Sequence, residues 1–495
     1  MKLYRCAVGA ALATLAAGCA LQPVYQRPAA PVSAAFPAGA AYKAPSGEAS
    51  GTTLPAADIG WRNFLPDPRL QRLVELALQN NRDLRVAVLN VDKVRAQYRI
   101  QRAALFPQVN VGAADASGKG VSGSASSSGH SNVNHNFSAN LSASWEVDFF
   151  GRLRSLSDAA IEQYLASAHA RQAAEILLVA QVADQYLTTL AYNEELAVTQ
   201  KTLETAQASY KIVKLQFDTG TASELDLRLS QTTVEQALAN HAAQLRLQAQ
   251  AENALVLLVG QPLPQDLPPA VRLGAQPILA DIPAGLPSDL LARRPDILQA
   301  EAMLRSENAD IGAARAAFFP RITLTGTLGT ASSTLAGLFA AGSSAWSFVP
   351  SLIAPIFNAG ANQANLDIAR LQKDIGIAQY EKAIQTAFRE VSDGLAARGT
   401  YDDQLAALQR YTDAQQRRLE LADMLYANGI DSYLNVLTAQ TDLYNAQIAL
   451  VSARLNRLTS LVDLYRALGG GWLEHTGDPS RPFDTAGNSA PSAAR

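Results

Sequence analysis

The sequence has 495 residues, 48% of them hydrophobic and 17% charged, with a formal net charge of -3. That is a folded composition, long enough for about three domains, and its slight acidity leaves no basic patch for nucleic acid. Its two cysteines, Cys6 and Cys19, exclude a disulfide framework, because Cys6 lies in a segment that reads as a secretory signal.

That signal covers residues 1–18, with Lys2 and Arg5 at its start and an apolar run from Ala7 to Ala17. The following LAAGCA resembles a bacterial lipobox, which implies that Cys19 is acylated and becomes the first mature residue. Ala16 stands where a lipobox usually has Leu, so an ordinary signal peptide cut near Ala17 is the alternative. Ala20 in place of Asp after the cysteine implies, by the same resemblance, sorting to the outer membrane. Residues 19–60 carry Pro23, Pro28, Pro31, Pro37, Pro45 and Pro55 and read as an extended tether.

LQPVYQRPAAPV at residue 21, followed by WRNFLPDPRLQRLVELALQNNRDLRVA, resembles the start of the outer membrane efflux lipoproteins of the NodT type. These belong to the wider TolC-like outer membrane factor family. With the motifs below, the resemblance covers nearly all of the mature chain.

Leu70 to Leu105 has apolar residues spaced mostly by three and four and predicts one helix ending at Phe106–Pro107. Residues 108–149 then form a hairpin whose second strand is clear. Phe137, Ala139, Leu141, Ala143, Trp145, Val147 and Phe149 alternate with Ser138, Asn140, Ser142, Ser144, Glu146 and Asp148. Between the strands lies the polar GKGVSGSASSSGHSNVN loop; His130 in it and His135 just after it read as solvated rather than metal-binding.

An internal repeat sets the architecture. RAALFP at Arg102 returns as RAAFFP at Arg315, a shift of 213 (315 minus 102). Beyond the hairpins the shift becomes 209, pairing Gly151 with Gly360 (360 minus 151), Gly220 with Gly429 and Ser223 with Ser432. Each copy reads as helix, hairpin, long helix, tip turn and return helix. Repeat 1 spans 61–260, with its long helix at 152–217, its tip at 218–222 and its return helix at 223–259. Repeat 2 spans 288–468, with a hairpin at 321–357, a long helix at 361–426, a tip at 427–431 and a return helix at 432–468. A proline-rich irregular segment, 261–287, lies between them, and 469–495 is a tail with a disordered end.

In the second hairpin Ile322, Leu324, Gly326 and Leu328, then Trp346, Phe348, Pro350, Leu352, Ala354 and Ile356, alternate on even positions. Thr334 to Phe357 could alternatively read as a transmembrane helix, against which stand Pro350, Pro355, Gly337 and Gly342. Four strands cannot close a membrane barrel, which needs about eight, and open edges are not tolerated in lipid. Two copies would give eight strands and three would give twelve; the TolC-like resemblance implies three.

Arg152 to Phe217 contains no Pro or Gly and would make a rod of about 100 Å at ~1.5 Å per residue. Gly220 and Gly429 suit helix stops, and Ser223 and Ser432 are placed to cap the returning helices. Leu434, Leu437, Thr441, Tyr444, Ile448, Val451, Leu455, Leu458, Val462 and Tyr465 form a seven-residue seam that predicts left-handed supercoiling.

No catalytic constellation, phosphate loop or metal cluster is present in the sequence, so no cofactor and no enzyme activity are expected. Glu146 and Asp148 would face a lumen as a cation-favouring vestibule, or be a solvated wall. Asp218, Glu224, Asp226 and Asp431 are candidates for charged rings at the helical tips. Leu434 is the candidate apolar constriction, with helix capping and coiled-coil packing as the alternative. The family closes its tip with acidic and apolar rings, often with Asp in a Leu-Asp-Ala-Gln run; Thr438 stands there in Leu437–Gln440.

The resemblance therefore implies a mixed α/β membrane protein: a homotrimeric TolC-like channel-tunnel with a shared 12-strand barrel and a periplasmic coiled-coil barrel of long helices. It implies an outer membrane lipoprotein of a Gram-negative bacterium, a passive conduit for drugs or other small toxic molecules. It also implies a periplasmic adaptor protein docked near Gly220 and Gly429, and an inner membrane RND-type transporter. A type I protein secretion duct would share the fold. A non-conducting lipid-anchored coiled-coil scaffold would explain the helices but not the greasy strands.

Overall fold

The computed structural model describes residues 21–42, 54–119 and 133–479, apart from 281, 284 and 286. Cys19, and His130 with the rest of residues 120–132, lie outside the described residues. The chain divides into two compact units, Met1–Ala29 with Asn90–Ser167 and Gln299–Glu381, and Ala30–Leu89 with Ala168–Leu298 and Lys382–Arg495.

In chain order the helices before the first hairpin are α1 (Trp61–Phe64), α2 (Pro68–Asn80) and α3 (Arg82–Ala103). The hairpin strands are β1 (Gln108–Lys119) and β2 (Val133–Val147), followed by α4 (Arg152–Asp218) and α5 (Glu224–Val259). The second copy supplies α6 (Pro287–Arg293), α7 (Pro295–Ala316), β3 (Arg321–Ser332), β4 (Ser344–Ile353), α8 (Ala361–Ala427) and α9 (Tyr433–Ala467).

The first unit holds one antiparallel sheet in the order β1-β2-β3-β4. Paired residues in adjacent strands share a face, so the register can be read across all four strands. Val111, Leu141, Leu328 and Trp346 form one row, and Val109, Ala143, Gly326 and Phe348 the next. On the opposite face Asn110, Ser142, Thr327 and Ser347 make a polar row, tied by a 2.7 Å hydrogen bond between the Thr327 and Ser347 hydroxyls. β4 stops at Ile353, short of the expected alternation to Ile356, because Pro355 has no N–H to offer a ladder. The alternative transmembrane helix over Thr334–Phe357 is absent: a short 3-10 turn, Leu335–Gly337, and β4 occupy it. Among the described residues no helix is long and apolar enough to cross a membrane.

The second unit is helical. The single helix expected over Leu70–Leu105 is broken at Asn81, which takes an extended ψ of 132°. Asn81 Oδ1 accepts from the Leu84 N–H at 2.9 Å, starting α3, while its Nδ2 donates to the Leu258 carbonyl at 2.9 Å. Gly260, at φ +77°, backs directly onto the Asn80 carbonyl, where a Cβ would collide. On the repeat shift of 213 the partner of Asn81 is Arg294 (81 plus 213), and the chain breaks there too, between α6 and α7. Arg294 is buried and bound by Asp296 at 2.5 Å and Glu390 at 2.8 Å, and donates to the Ala467 carbonyl at 3.0 Å.

Asp67 caps α2 by accepting from the Arg69 N–H, and holds the Tyr186 hydroxyl at 2.9 Å and Gln276 at 3.0 Å. Phe64 stacks on Tyr465 with ring centroids 4.0 Å apart, and the Tyr465 hydroxyl donates to the Ile59 carbonyl at 2.6 Å. The tail is ordered further than its loss of apolar content suggests. Trp61 N–H donates to Leu473 O at 2.8 Å and Gly60 N–H to the Thr476 hydroxyl at 3.1 Å, so 473–476 lie along the start of α1.

The first half of α9 buries Val436, Ala439, Leu443, Ala446, Leu450 and Ala453, spaced by three and four. The expected seam is buried at Leu437, Val451, Leu458, Val462 and Tyr465 and exposed at Leu434 and Thr441.

Candidate functional site

The sheet's apolar face is exposed. Val111 is 85%, Trp346 76% and Phe348 61% accessible, and Leu141, Leu328 and Leu352 are exposed beside them. A face of this kind is tolerated in a protein only when something apolar covers it. On β2 the band runs from Phe137 to Val147, which at ~3.4 Å per residue and a tilt of ~40° is about 25 Å tall, the height of an outer membrane barrel's lipid band. It ends where Asp115, Ser117 and His135 occupy the same face: Ser117 Oγ lies 2.8 Å from His135 Nδ1, which is 3.6 Å from Asp115.

At the other end, strand becomes helix through Gly151 at φ +73°. Glu146 lies on the polar face opposite Thr323, and Arg152 Nε and Nη2 donate to its two oxygens at 2.9 and 2.8 Å. Asp148 accepts from the Leu153 and Arg154 N–H groups at 3.0 and 2.8 Å, and Arg154 Nε donates to it at 3.3 Å. Asp148 is therefore the cap of α4, in the position where the helix dipole favours an anion. Both carboxylates have a built-in cation, Arg152 and Arg154, which the sequence reading passed over although each stands within six residues of its partner. In the second copy the shift of 209 puts Pro355 and Phe357 at these places (146 plus 209, 148 plus 209), so the acids belong to one junction only. Trp145 Nε1 donates to the Leu105 carbonyl at 3.0 Å, and Phe150 stacks on Phe319 at 4.7 Å and meets Phe149 edge-on at 5.2 Å. This aromatic cluster gathers where the apolar band ends, as at a membrane interface.

The two tips share one backbone motif. Gly220 and Gly429 have φ of +77° and +70°. Thr221 N–H donates to Gln216 O at 2.8 Å, and Ile430 N–H to Leu425 O at 3.0 Å, the six-to-one bond of a left-handed helix stop. Their helix starts differ. Ser223 and Asp226 form a reciprocal capping box, with Asp226 N–H donating to Ser223 Oγ at 3.1 Å and Ser223 N–H to Asp226 at 3.3 Å. Ser432 makes no side-chain cap, contrary to expectation. The place of Asp226 is taken by Asn435 (226 plus 209), which cannot accept as an anion and instead donates to Asp431 at 2.7 Å. Asp431 also accepts from the Ser432 N–H at 2.7 Å.

Asp218 pairs with Lys214 at 3.4 Å and Glu224 with Arg228 at 3.3 Å, both in exposed i,i+4 pairs. Leu434 is 55% exposed beside the buried cluster of Val213, Ala422, Tyr433, Val436, Leu437 and Ala439. Burial pushes the Tyr433 hydroxyl up to about 12, so this cluster stays neutral. Tyr426 packs on Tyr433 at 5.1 Å and donates to Gln216 Oε1 at 3.1 Å, binding the first tip to the second. Among the described residues no group of His, Cys, Asp and Glu is placed to hold a metal ion.

A four-stranded sheet with one lipid-compatible face, two unpaired edges and long paired helices defines a protomer of a TolC-like outer membrane channel. The chain belongs to the outer membrane efflux protein family, whose model matches residues 73–261 and 286–470. It is 48% identical over 473 residues to the toluene efflux pump outer membrane protein TtgC of Pseudomonas putida, covering 95% of this chain and 96% of that one. Its fold matches a membrane protein from Pseudomonas aeruginosa at a TM-score of 0.83 and 42% identity, covering 94% of this chain and all of the other. It also matches the open state of the MtrE outer membrane channel of Neisseria gonorrhoeae at 0.81 and 38%, with 93% of this chain and all of the other covered. The protein is thus the outer membrane channel component of an efflux system, spanning the outer membrane and extending into the periplasm.

Proposed function

We propose that three copies of the chain close one 12-strand barrel and act as a passive duct for small toxic molecules, among them drugs and apolar solvents. The observation that carries this is the four-strand register, which sorts apolar and polar side chains onto opposite faces while leaving β1 and β4 unpaired at their outer edges. An unpaired edge in lipid strands its N–H and C=O groups at several kcal/mol each, roughly, so β1 of one copy meets β4 of the next. Exposed Ile100 on α3, which leads into β1, and exposed Ile368, Leu371 and Ile375 on α8, which follows β4, support the same pairing of copies.

The energy comes from elsewhere. In this reading a periplasmic adaptor protein docks at the tips around Gly220 and Gly429, and an inner membrane RND-type transporter loads the duct. Acylation at Cys19 supplies a second hold on the outer membrane. Asp218, Glu224, Asp226 and Asp431 line the tip, and Leu434 narrows it. Lipid-facing alternation argues against the scaffold reading, and the name of TtgC, an efflux pump protein, favours small molecules over a protein secretion duct.

Purified protein in planar bilayers is expected to conduct, and Leu434→Ser to conduct more. Absence of conductance in both would overturn the duct. Deletion of the gene followed by a susceptibility panel of dyes, antibiotics and solvents identifies the substrate class.

A further inference from the structure

The segment after Cys19 reads in the sequence as a loose tether, but residues 21–27 are fastened along α7. The Arg315 guanidinium donates to the Leu21 carbonyl at 3.1 Å, and Asn308 Nδ2 to the Pro23 carbonyl at 2.8 Å. Between them Gly312 lets the chain lie flat: a Cβ there would come within 2.9 Å of Gln22 and 2.6 Å of the Ser155 hydroxyl. Arg305 stacks over the Tyr25 ring at 5.2 Å. Glu301, its side chain only 3% exposed, closes the row by accepting from the Tyr25 hydroxyl at 3.3 Å, from Arg27 at 2.9 and 2.6 Å and from Arg305 at 2.8 Å.

Glu301, Arg305, Asn308, Gly312 and Arg315 are spaced by four, three, four and three, so they form one polar stripe along the helix. The extended segment runs antiparallel to it. The internal repeat supplies a control. On the shift of 213 the same positions of α3 are Val88, Asp92, Arg95, Arg99 and Arg102. That helix has no carboxylate opposite Arg27, no amide at the Asn308 place, and an arginine where Gly312 makes room. Two helices of equal rank in the fold therefore differ in this stripe, and the N-terminal segment lies on the one that has it.

We propose that this stripe is a dedicated clamp that fixes where the N-terminal lipid anchor enters the membrane, with Glu301 as its positioning residue. Cys19 is two residues before Leu21, at most about 7 Å of chain, and Arg315 stands one residue from the end of α7, just ahead of β3. The described segment thus reaches the foot of β3 at Leu21, and an anchor two residues earlier in the chain has little of the reach of a free tether. Burial weighs against the Glu301 carboxylate, but Arg27 and Arg305 more than offset it and hold its pKa below the usual range. The clamp therefore carries its full charge at neutral pH.

The part concerning lipid rests on acylation of Cys19, and the test separates the two. A nitroxide on Val24→Cys, a position 87% exposed, is read by electron paramagnetic resonance in the full-length protein. In the parent it is expected to be as slow as the helices; in Glu301→Ala and in Gly312→Arg it is expected to move on the nanosecond scale of a loose terminus. Arg27→Ala, which alters the segment and leaves α7 untouched, is expected to do the same. Unchanged slow motion in all three variants would overturn the clamp. Mass spectrometry of the N-terminal fragment reads acylation separately, and loss of the clamp's effect in Cys19→Ser would show that lipid, and not the stripe, holds the segment.

Discussion

Arg152 grips Glu146 through two parallel hydrogen bonds of 2.9 and 2.8 Å, across the glycine that turns strand into helix. The pair ties the start of α4 to the end of β2 and sets a cation against the Glu146 charge. If the polar face lines a channel, as proposed above, the wall at this level carries no net charge from the pair. Arg152→Ala is expected to raise the permeability of cations over anions, because it frees Glu146, and Glu146→Gln to raise that of anions over cations, because it frees Arg152. Reversal potentials in a potassium chloride gradient measure this, and shifts of the same sign in both variants would contradict it.

The two tips make an internal comparison of helix caps. Ser223→Ala removes one half of a capping box and is expected to cost about 1 kcal/mol locally. Ser432→Ala removes no side-chain cap and is expected to cost little. Hydrogen exchange of the first turns of α5 and α9 distinguishes them, faster exchange being expected only in α5.

Asp184 supplies a pH dependence. Burial, then repulsion from Asp463, pushes its carboxyl up to about 7 against a smaller pull from Arg466, and its Oδ1 has no hydrogen-bond partner among the described residues. The folded state holds this proton where the unfolded chain has released it, so unfolded minus folded proton binding is negative between the ordinary aspartate value and about pH 7. Stability from this group therefore falls as pH rises through that window. Asp184→Asn is expected to flatten the fall and to be more stable at neutral pH by roughly 1–4 kcal/mol. Thermal unfolding at pH 5 and pH 8 measures it; an unchanged difference between the two pH values in the variant would contradict it.

How much of this was legible follows from the range of each interaction. The strand alternation from Phe137 to Val147 and the glycines at 220 and 429 are local signals, and the internal repeat needs only the chain itself. The break at Asn81 is different. Apolar residues continue at helical spacing across it, from Leu76 and Ala77 to Leu84 and Val88, and what breaks the helix is Leu258 and Gly260, distant in sequence. The clamp on α7 is hidden for the same reason, since Glu301 looks like an ordinary helical acid until Arg27, 274 residues earlier, is laid against it. At Ser432 a local rule misled, because the cap depends on the residue three places on and Asn435 replaces the acid.

The register gives the sheet one apolar face and one polar face, which the duct reading assigns to lipid and to water. Single cysteines at Ser142, Ala143 and Ser144 in membrane-embedded protein test it most directly, since these neighbours alternate between the faces. A membrane-impermeant charged thiol reagent is expected to modify positions 142 and 144 and lower the conductance, while position 143 reacts only with a lipid-soluble reagent. Equal labelling of all three by the charged reagent, or labelling of 143 alone, would contradict the account.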